Sequence, residues 1–367
     1  MKLVQLRRAV PAESEAGVTP VPEAGFSLVD RTRRRVRYLR ISLTDRCTMR
    51  CTYCMPSEGI EHVRRTEILS LEEVVHLASA FAAWGVERIR LTGGEPTLRR
   101  DLPWLVEQLA ALRVGGDSSC AGAPVEVVMT TNGERLVTLA EPLARAGLRG
   151  LTISIDSLVP ERFAAITRRD RLDEVRAGVV AAGRAGLSLK LNTVAIQGFN
   201  DGELGELCAF AWAQGATPRF IELMPMAGGR LFVPGELMPA AAIRARIQAH
   251  FGAREIAAEG RPGGAVGPAH YWRLVGGPRS GSRFGTIAAM TENFCDSCNR
   301  LRVSATGQLH ACLARDEAGD LRAVLRGGNP GQLAAVVAAA LGRKRDTHDF
   351  EVDGQGGPER AMISIGG

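Results

Sequence analysis

The sequence predicts an α/β protein: an open, six-stranded partial (β/α)6 barrel followed by an irregular C-terminal domain. Three observations carry that prediction. Apolar, β-branched stretches alternate with helical patterns from about residue 36 to residue 214, which implies right-handed βαβ units and a parallel sheet. Six such units are too few to close an eight-fold barrel. The alternation then breaks down from about Pro234, where Gly/Pro-rich loops at 260–268 and 276–281 precede a second group of cysteines.

In chain order the expected strands are Val36–Leu43, Val86–Thr92, Val125–Thr131, Leu151–Ile155, Leu189–Ala195 and Arg219–Met224. The expected helices between them are Ser70–Ala83, Leu102–Leu112, Arg135–Ala146, Leu172–Ala185 and Gly202–Gln214. Ser70 and Glu73 have the spacing of a capping box. Gly147 and Gly186 stand where C-terminal caps are needed. Residues 1–35 read as a flexible arm, 36–234 as the barrel, and 235–367 as the C-terminal domain, with a last helical stretch at Gly331–Leu341. Arg113–Pro124 reads as a lengthened loop. Sites in parallel barrels sit at the C-terminal ends of the strands. Cys47–Cys54, Gly93–Pro96, Thr130–Gly133 and Ser154–Asp156 all fall at such ends.

The composition is that of a globular protein, with 45% hydrophobic and 23% charged residues. No apolar run is long enough to span a bilayer, and Met1–Ala16 lacks the apolar core of a signal peptide. The expected compartment is the cytoplasm, where thiols stay reduced. The eight cysteines then read as metal ligands or buried thiols. Cys120 looks incidental, and Cys208 looks like a small buried hydrophobe. Of 46 basic residues only Lys2, Lys190 and Lys344 are lysines. Abundant Arg suits an anionic substrate, because guanidinium grips phosphate bidentately. The run Arg31–Arg37 has no interleaved aromatics, so nucleic-acid binding is not expected.

The first cysteine triad is Cys47-x3-Cys51-x2-Cys54. Structural zinc normally takes four protein ligands, whereas a cubane iron–sulfur cluster held by three thiolates keeps one iron open. Arg46 and Arg50 flank the triad and are expected to favour thiolates. A zinc knuckle is the competing reading. The pattern Cys-x3-Cys-x-Tyr-Cys, with Tyr53 before the last cysteine, resembles the radical S-adenosylmethionine (SAM) superfamily. There the open iron chelates SAM, and an electron from the cluster releases a 5′-deoxyadenosyl radical. Gly93-Gly94-Glu95-Pro96 resembles the superfamily's site for the SAM amine. Its glycines would let backbone approach a ligand closely, and Glu95 would accept from the ammonium. Ser154 ends the fourth strand and would take the SAM carboxylate.

The second triad is Cys295-x2-Cys298, completed by Cys312. Zinc completed by His310 is the alternative, at an awkward two-residue spacing from Cys312. Arg300 and Arg302 alternate on an expected strand, so both point the same way, toward an anion such as a nucleotide triphosphate. Cys-x2-Cys-Asn-Arg-Leu-Arg with Cys312 beyond resembles one family within the superfamily, the molybdenum cofactor biosynthesis protein A family of GTP 3′,8-cyclases. Tyr38–Ser42, Arg219–Pro225 and the terminal Gly366-Gly367 support it, and the resemblance runs over roughly residues 26–367.

The resemblance implies two 4Fe–4S clusters, SAM and GTP. Cys47, Cys51 and Cys54 would hold the first cluster; Cys295, Cys298 and Cys312 would hold the second. Tyr53, Gly94, Glu95, Ser154 and Met224 would contact SAM. Arg40, Arg90, Thr130, Lys190, Arg219, Arg300 and Arg302 would contact GTP, with Arg40, Arg300 and Arg302 also catalytic. Arg40 and Arg90 lie within expected strands, where unused charge is costly. Whether Thr130 or Thr131 faces the site depends on register. The Gly366-Gly367 tail would enter the active site. A flavodoxin-type electron donor, a downstream cyclic pyranopterin monophosphate synthase and a homodimer are further implied associations. The alternatives are a radical SAM peptide-modifying enzyme and a non-catalytic iron–sulfur or zinc regulator.

Overall fold

The computed structural model describes residues 26–260, 267–328 and 331–365. Strands β1 (Tyr38–Ser42), β2 (Arg88–Thr92), β3 (Glu126–Thr131), β4 (Gly150–Ser154), β5 (Ser188–Ala195) and β6 (Thr217–Glu222) are parallel neighbours in chain order. The helices between them are α1 (Leu71–Ala83), α2 (Leu102–Ala111), α3 (Leu136–Arg145), α4 (Pro160–Thr167), α5 (Leu172–Arg184) and α6 (Leu204–Ala213). Every expected strand and helix is present. Helix α4 was not foreseen; it is only eight residues long and starts on Pro160, whose fixed φ suits a first turn. Ser70 and Glu73 do form the capping box on α1. Gly147 and Gly186 take the positive φ of a helix stop, 99° and 74°.

Period-two alternation decides which side chains meet the helices. Leu39, Ile41, Ile89, Leu91, Val127 and Met129 are buried in one core with Leu77, Phe81, Leu105 and Leu109 of the helices. The alternate residues, among them Tyr38, Arg40, Arg90, Thr130 and Lys190, face the concave side of the sheet. Cys208 is fully buried in the core, as expected, and Cys120 is exposed.

Between Pro234 and Gly331 the sequence reading placed only a strand carrying Arg300 and Arg302, which is present as Arg300–Val303. The structure places helix α7 (Ala240–His250) there, and then extends both edges of the same sheet. Strands β7 (Glu255–Gly260), β8 (His270–Val275) and β9 (Arg283–Ile287) continue from β6, with β9 parallel to it. Strands β10 (Arg300–Val303), β11 (Gln308–His310) and β12 (Gly319–Asp320) continue from β1, with β10 parallel to it. The sheet has 12 strands in the order β12-β11-β10-β1-β2-β3-β4-β5-β6-β9-β8-β7. Helices α8 (Leu321–Gly327) and α9 (Gly331–Arg343) pack beside β11 and β12. Apart from the strand of Arg300 and Arg302, these strands are short and their partners lie far away in sequence, so no local period announces them.

Part of the segment read as a flexible arm is packed. Residues 1–25 lie outside the described residues, but 26–35 are packed. Leu28 and Asp30 are buried, Phe26 meets Trp84 edge-on at 4.8 Å, and Arg34 donates to the Cys295 carbonyl at 2.6 Å. Apolar side chains at positions 26 and 28 have a surface to cover, which a mobile tail would leave exposed to water. The 113–124 loop folds back through an Arg113–Pro124 bridge and hydrogen-bonds Glu87 from Ser118 at 2.8 Å, at the N-terminal end of the strands. Gly366-Gly367 lies outside the described residues. Among the described residues no helix is long and apolar enough to cross a membrane.

Candidate active site

A cavity of about 670 Å³ occupies the concave face. Sheet register builds its floor. Arg302, Arg40 and Arg90 are cross-strand neighbours on β10, β1 and β2. Thr130, Thr152 and Lys190 are neighbours on β3, β4 and β5, and Asn192 pairs with Arg219 on β6. Arg90 donates to Thr130 Oγ1 at 2.8 Å and to Thr152 Oγ1 at 3.0 Å. Arg219 reaches the same Thr152 Oγ1 at 3.0 Å and Asn192 Oδ1 at 2.9 Å. Arg90 also bonds the Tyr38 hydroxyl. Thr130 therefore faces the site, while Thr131 is buried and donates to Glu95 at 2.7 Å.

These cations are held under mutual repulsion in a dry place. Burial pushes Arg40 down to about 9, with Arg302 and Arg90 adding to the effect. Burial pushes Lys190 down to about 8, helped by Arg219 and Arg90. Burial and then Arg300 bring Arg302 to about 10. The Nε of Arg302 is buried without a hydrogen-bond partner. An anion with several acceptor oxygens would relieve all of this at once.

Cys295, Cys298 and Cys312 line one end of the cavity. Burial raises the Cys298 thiol, but Arg300 and Lys344 outweigh it and bring it to about 5. Arg300 Nη2 lies 3.7 Å from Cys298 Sγ. The zinc alternative loses its fourth ligand, because Arg360 Nη1 is 2.8 Å from Nε2 of the buried His310. Among the described residues no three His, Cys, Asp or Glu side chains converge on one point, as a single ion requires. Within each triad the thiols lie close enough to raise one another's pKa.

Toward the first triad, Tyr53, Ser154 and Met224 line the cavity; Cys47, Cys51, Cys54, Gly94 and Glu95 do not. Tyr53 donates to Asp156 Oδ2 at 2.7 Å, and Val194 N holds Asp156 Oδ1 at 2.8 Å. Burial lifts Asp156 to about 6. Burial also pushes Cys47 to about 11, Cys54 to about 12 and Cys51 well above the ordinary thiol range. Arg46 and Arg50, expected to favour thiolates, are exposed and do not offset that burial. Metal loading at this triad must therefore displace protons.

Glu95 is engaged within the protein. It is fully buried, and its carboxylate accepts from Thr97 N at 3.0 Å, Thr97 Oγ1 at 2.7 Å, Thr131 Oγ1 at 2.7 Å and Asn132 N at 2.7 Å. It ties the loops after β2 and β3 together. The backbone of Gly94 and Glu95 also serves protein contacts. Gly94 N donates to Thr44 O at 2.7 Å, and Glu95 N to Arg46 O at 2.7 Å. The loop is clamped to the segment that leads into Cys47.

The sequence matches the radical SAM superfamily over residues 41–211 and the molybdenum cofactor synthesis C-terminal family over residues 216–350. It is 40% identical over 336 residues to a GTP 3′,8-cyclase of Rhizobium etli, spanning 91% of this chain and 92% of that protein. It is 39% identical over 344 residues to a GTP 3′,8-cyclase of Rhodopseudomonas palustris, spanning 93% and 95%. The chain belongs to the GTP 3′,8-cyclase family. Among solved structures, Streptococcus suis SuiB bound to its precursor peptide matches 59% of this chain and 46% of that one, at 17% identity and a TM-score of 0.46. That weak likeness adds nothing to the assignment.

In this member of the family, sequence reasoning missed four site residues. Thr152 bridges Arg90 and Arg219, and Asn192 orients Arg219. Both sit one pleat from assigned residues, and strand alternation would have found them. Lys344 is buried against Cys298, and its rarity among the cations was the available signal. Ile363 donates its backbone N–H to the Cys54 sulfur and packs with Ala361 and Met55; nothing local in the sequence marks it.

Proposed function

We propose that this chain is a GTP 3′,8-cyclase that holds GTP between two three-cysteine clusters. It closes the bond between ribose C3′ and guanine C8 to give (8S)-3′,8-cyclo-7,8-dihydroguanosine 5′-triphosphate, the first step toward the molybdenum cofactor. The observation that carries the reading is the buried, cation-lined cavity with one thiol triad at its end and Tyr53 of the other triad's loop in its wall.

Cys47, Cys51 and Cys54 would hold the first 4Fe–4S cluster, with Tyr53, Ser154, Met224 and the Gly94 backbone toward SAM. Bound there with SAM and supplied by a flavodoxin-type electron donor, the first cluster would provide the radical chemistry needed to remove the 3′ hydrogen of GTP. Cys295, Cys298 and Cys312 would hold the second cluster, placed to receive the guanine. Arg40, Arg90, Thr130, Lys190, Arg219, Arg300 and Arg302 would orient the triphosphate and ribose by forked, charge-assisted hydrogen bonds. Closure of such a site excludes water from a strongly oxidising species. Residues 36–234 supply the barrel half of this site, and 235–367 supply the second triad. We assign the enzyme to the cytoplasm, with its product passed to a cyclic pyranopterin monophosphate synthase; a homodimer is the assembly proposed. The regulator alternative leaves the cation floor without a purpose.

The test is an anaerobic assay of reconstituted protein with SAM, dithionite and GTP deuterated at C3′. Deuterium should appear in 5′-deoxyadenosine as GTP is lost. SAM cleavage without deuterium transfer would remove GTP as the substrate.

Lys190 makes the reading pH-sensitive. It loses its proton as pH rises through about 8, so nucleotide affinity should fall above that value. Its folded pKa lies below the ordinary 10.5, so between about 8 and 10.5 the folded chain binds fewer protons than the unfolded one. Stability therefore rises with pH in that window, and the lost affinity is not unfolding. Equilibrium GTP titrations without reductant, on either side of pH 8, check this. Lys190→Met should bind more weakly at neutral pH and show a flatter profile.

A further inference from the structure

Lys344 directly follows α9 by one residue and is only 2% exposed. Its Nζ donates to the Ala311 carbonyl at 2.7 Å, the Arg300 carbonyl at 3.1 Å and Cys298 Sγ at 3.4 Å. Those acceptors come from both arms of the second triad. Cys298 and Arg300 lead into β10; Ala311 directly precedes Cys312. One ammonium thus spans the sequence gap between the Cys-x2-Cys pair and the distant third cysteine. Among the described residues Lys344 forms no ion pair with a carboxylate, so the sulfur is its nearest anionic partner.

The choice of residue is informative. Nearly every cation of this chain is Arg, yet of the two lysines among the described residues Lys190 lines this cavity, half-buried, and Lys344 is buried beside the second triad. Its ammonium has three donors, and all three find acceptors here.

We propose that Lys344 is a positioning residue for the second cluster: a fixed positive charge that joins the two arms of the triad and raises the cluster's reduction potential through Cys298. The inference rests on the reading of Cys295, Cys298 and Cys312 as cluster ligands. Hydrogen bonds and positive charge at a ligating sulfur stabilise the reduced, more negative state of a cluster. Lys344 does not line the cavity, so it acts through the cluster and not by touching the nucleotide.

The experiment compares full-length wild type, Lys344→Arg and Lys344→Gln after anaerobic reconstitution. Iron is counted first. Midpoint potentials then come from redox titration followed by electron paramagnetic resonance, the second cluster being the signal that GTP perturbs. All three proteins should hold about eight irons. The second midpoint should fall in Lys344→Gln and stay close to wild type in Lys344→Arg, while the first stays unchanged throughout. Loss of the second cluster in Lys344→Gln alone also supports the proposal, because charge is then what holds the thiolates. Equal second midpoints in wild type and Lys344→Gln overturn it. So does loss of the second cluster in both variants, which would make the role one of shape. Wild type with about four irons would sink the reading of the second triad, and this inference with it.

Discussion

Replacing Arg302 by methionine is expected to weaken GTP binding by about 100-fold and to raise the melting temperature of the nucleotide-free protein. The two effects have one cause. Arg302 is buried beside Arg40 in register and beside Arg300 two residues away on the same strand, and its Nε has no hydrogen-bond partner. Folding the empty protein must dehydrate this guanidinium against like charges. Replacing buried charge by an apolar side chain of similar volume often stabilises, by about 1–4 kcal/mol. A gain of about 1 kcal/mol moves the melting temperature of a large domain by about 2–4 °C. The triphosphate would repay that penalty through charge-assisted hydrogen bonds of about 1.5–3 kcal/mol, so removing one donor costs about two decades of affinity. Calorimetric titration without reductant and thermal denaturation without nucleotide measure the two halves separately. A variant that binds GTP like wild type would show that Arg302 does not meet the phosphates. A lowered melting temperature would show that its stem packs more favourably than its charge repels.

Gly94→Ala is expected to cut SAM cleavage more than about 100-fold and to lower the iron content toward that of one cluster. A Cβ at Gly94 would sit 2.2 Å from the Arg46 carbonyl oxygen and 2.5 Å from its carbon, with Ile363 Cδ1 at 3.0 Å. The two nearest atoms are backbone, so no side-chain rotation relieves the clash. The backbone that must yield leads directly into Cys47, and it is also held by the Gly94 and Glu95 amides. Overpacking of this kind costs about 1–3 kcal/mol, and here the strain falls on the loop that sets the thiol positions. A displacement of about 1 Å in a catalytic loop is enough for a 100-fold loss. Gly202→Ala is the control, since nothing lies within 4 Å of a Cβ there. Wild-type iron content and cleavage in Gly94→Ala would mean that the loop gives way without harm.

Most of the site was legible as residue types and little of it as contacts. Arg40 and Arg90 stood out because a charged side chain in the middle of an apolar strand needs a reason, and both prove to share one polar face. The cysteine spacings were equally plain. Glu95 shows the difference: a carboxylate after two glycines at a strand end was legible as a polar group at the site, but its four protein donors, from residues 97, 131 and 132, were not. The choice between Thr130 and Thr131 stayed open for want of register, which a single strand does not contain.

By itself the sequence determined the six parallel strands, the helices that cover them and the two thiol triads. Each rests mainly on spacing between near neighbours, two for a strand, three to four for a helix or for cysteines of one loop, with Cys312 alone standing farther off, and such spacing survives in a linear text. Only the tertiary structure decided that β10 pairs with β1 and β9 with β6, which sets Arg300 and Arg302 beside Tyr38 and Arg40. It alone decided that Lys344 meets Cys298, and that Ile363 meets Cys54. Those pairings join residues tens to hundreds of positions apart. They are selected by what the whole sheet can bury and what every buried charge can find as a partner, not by any local pattern.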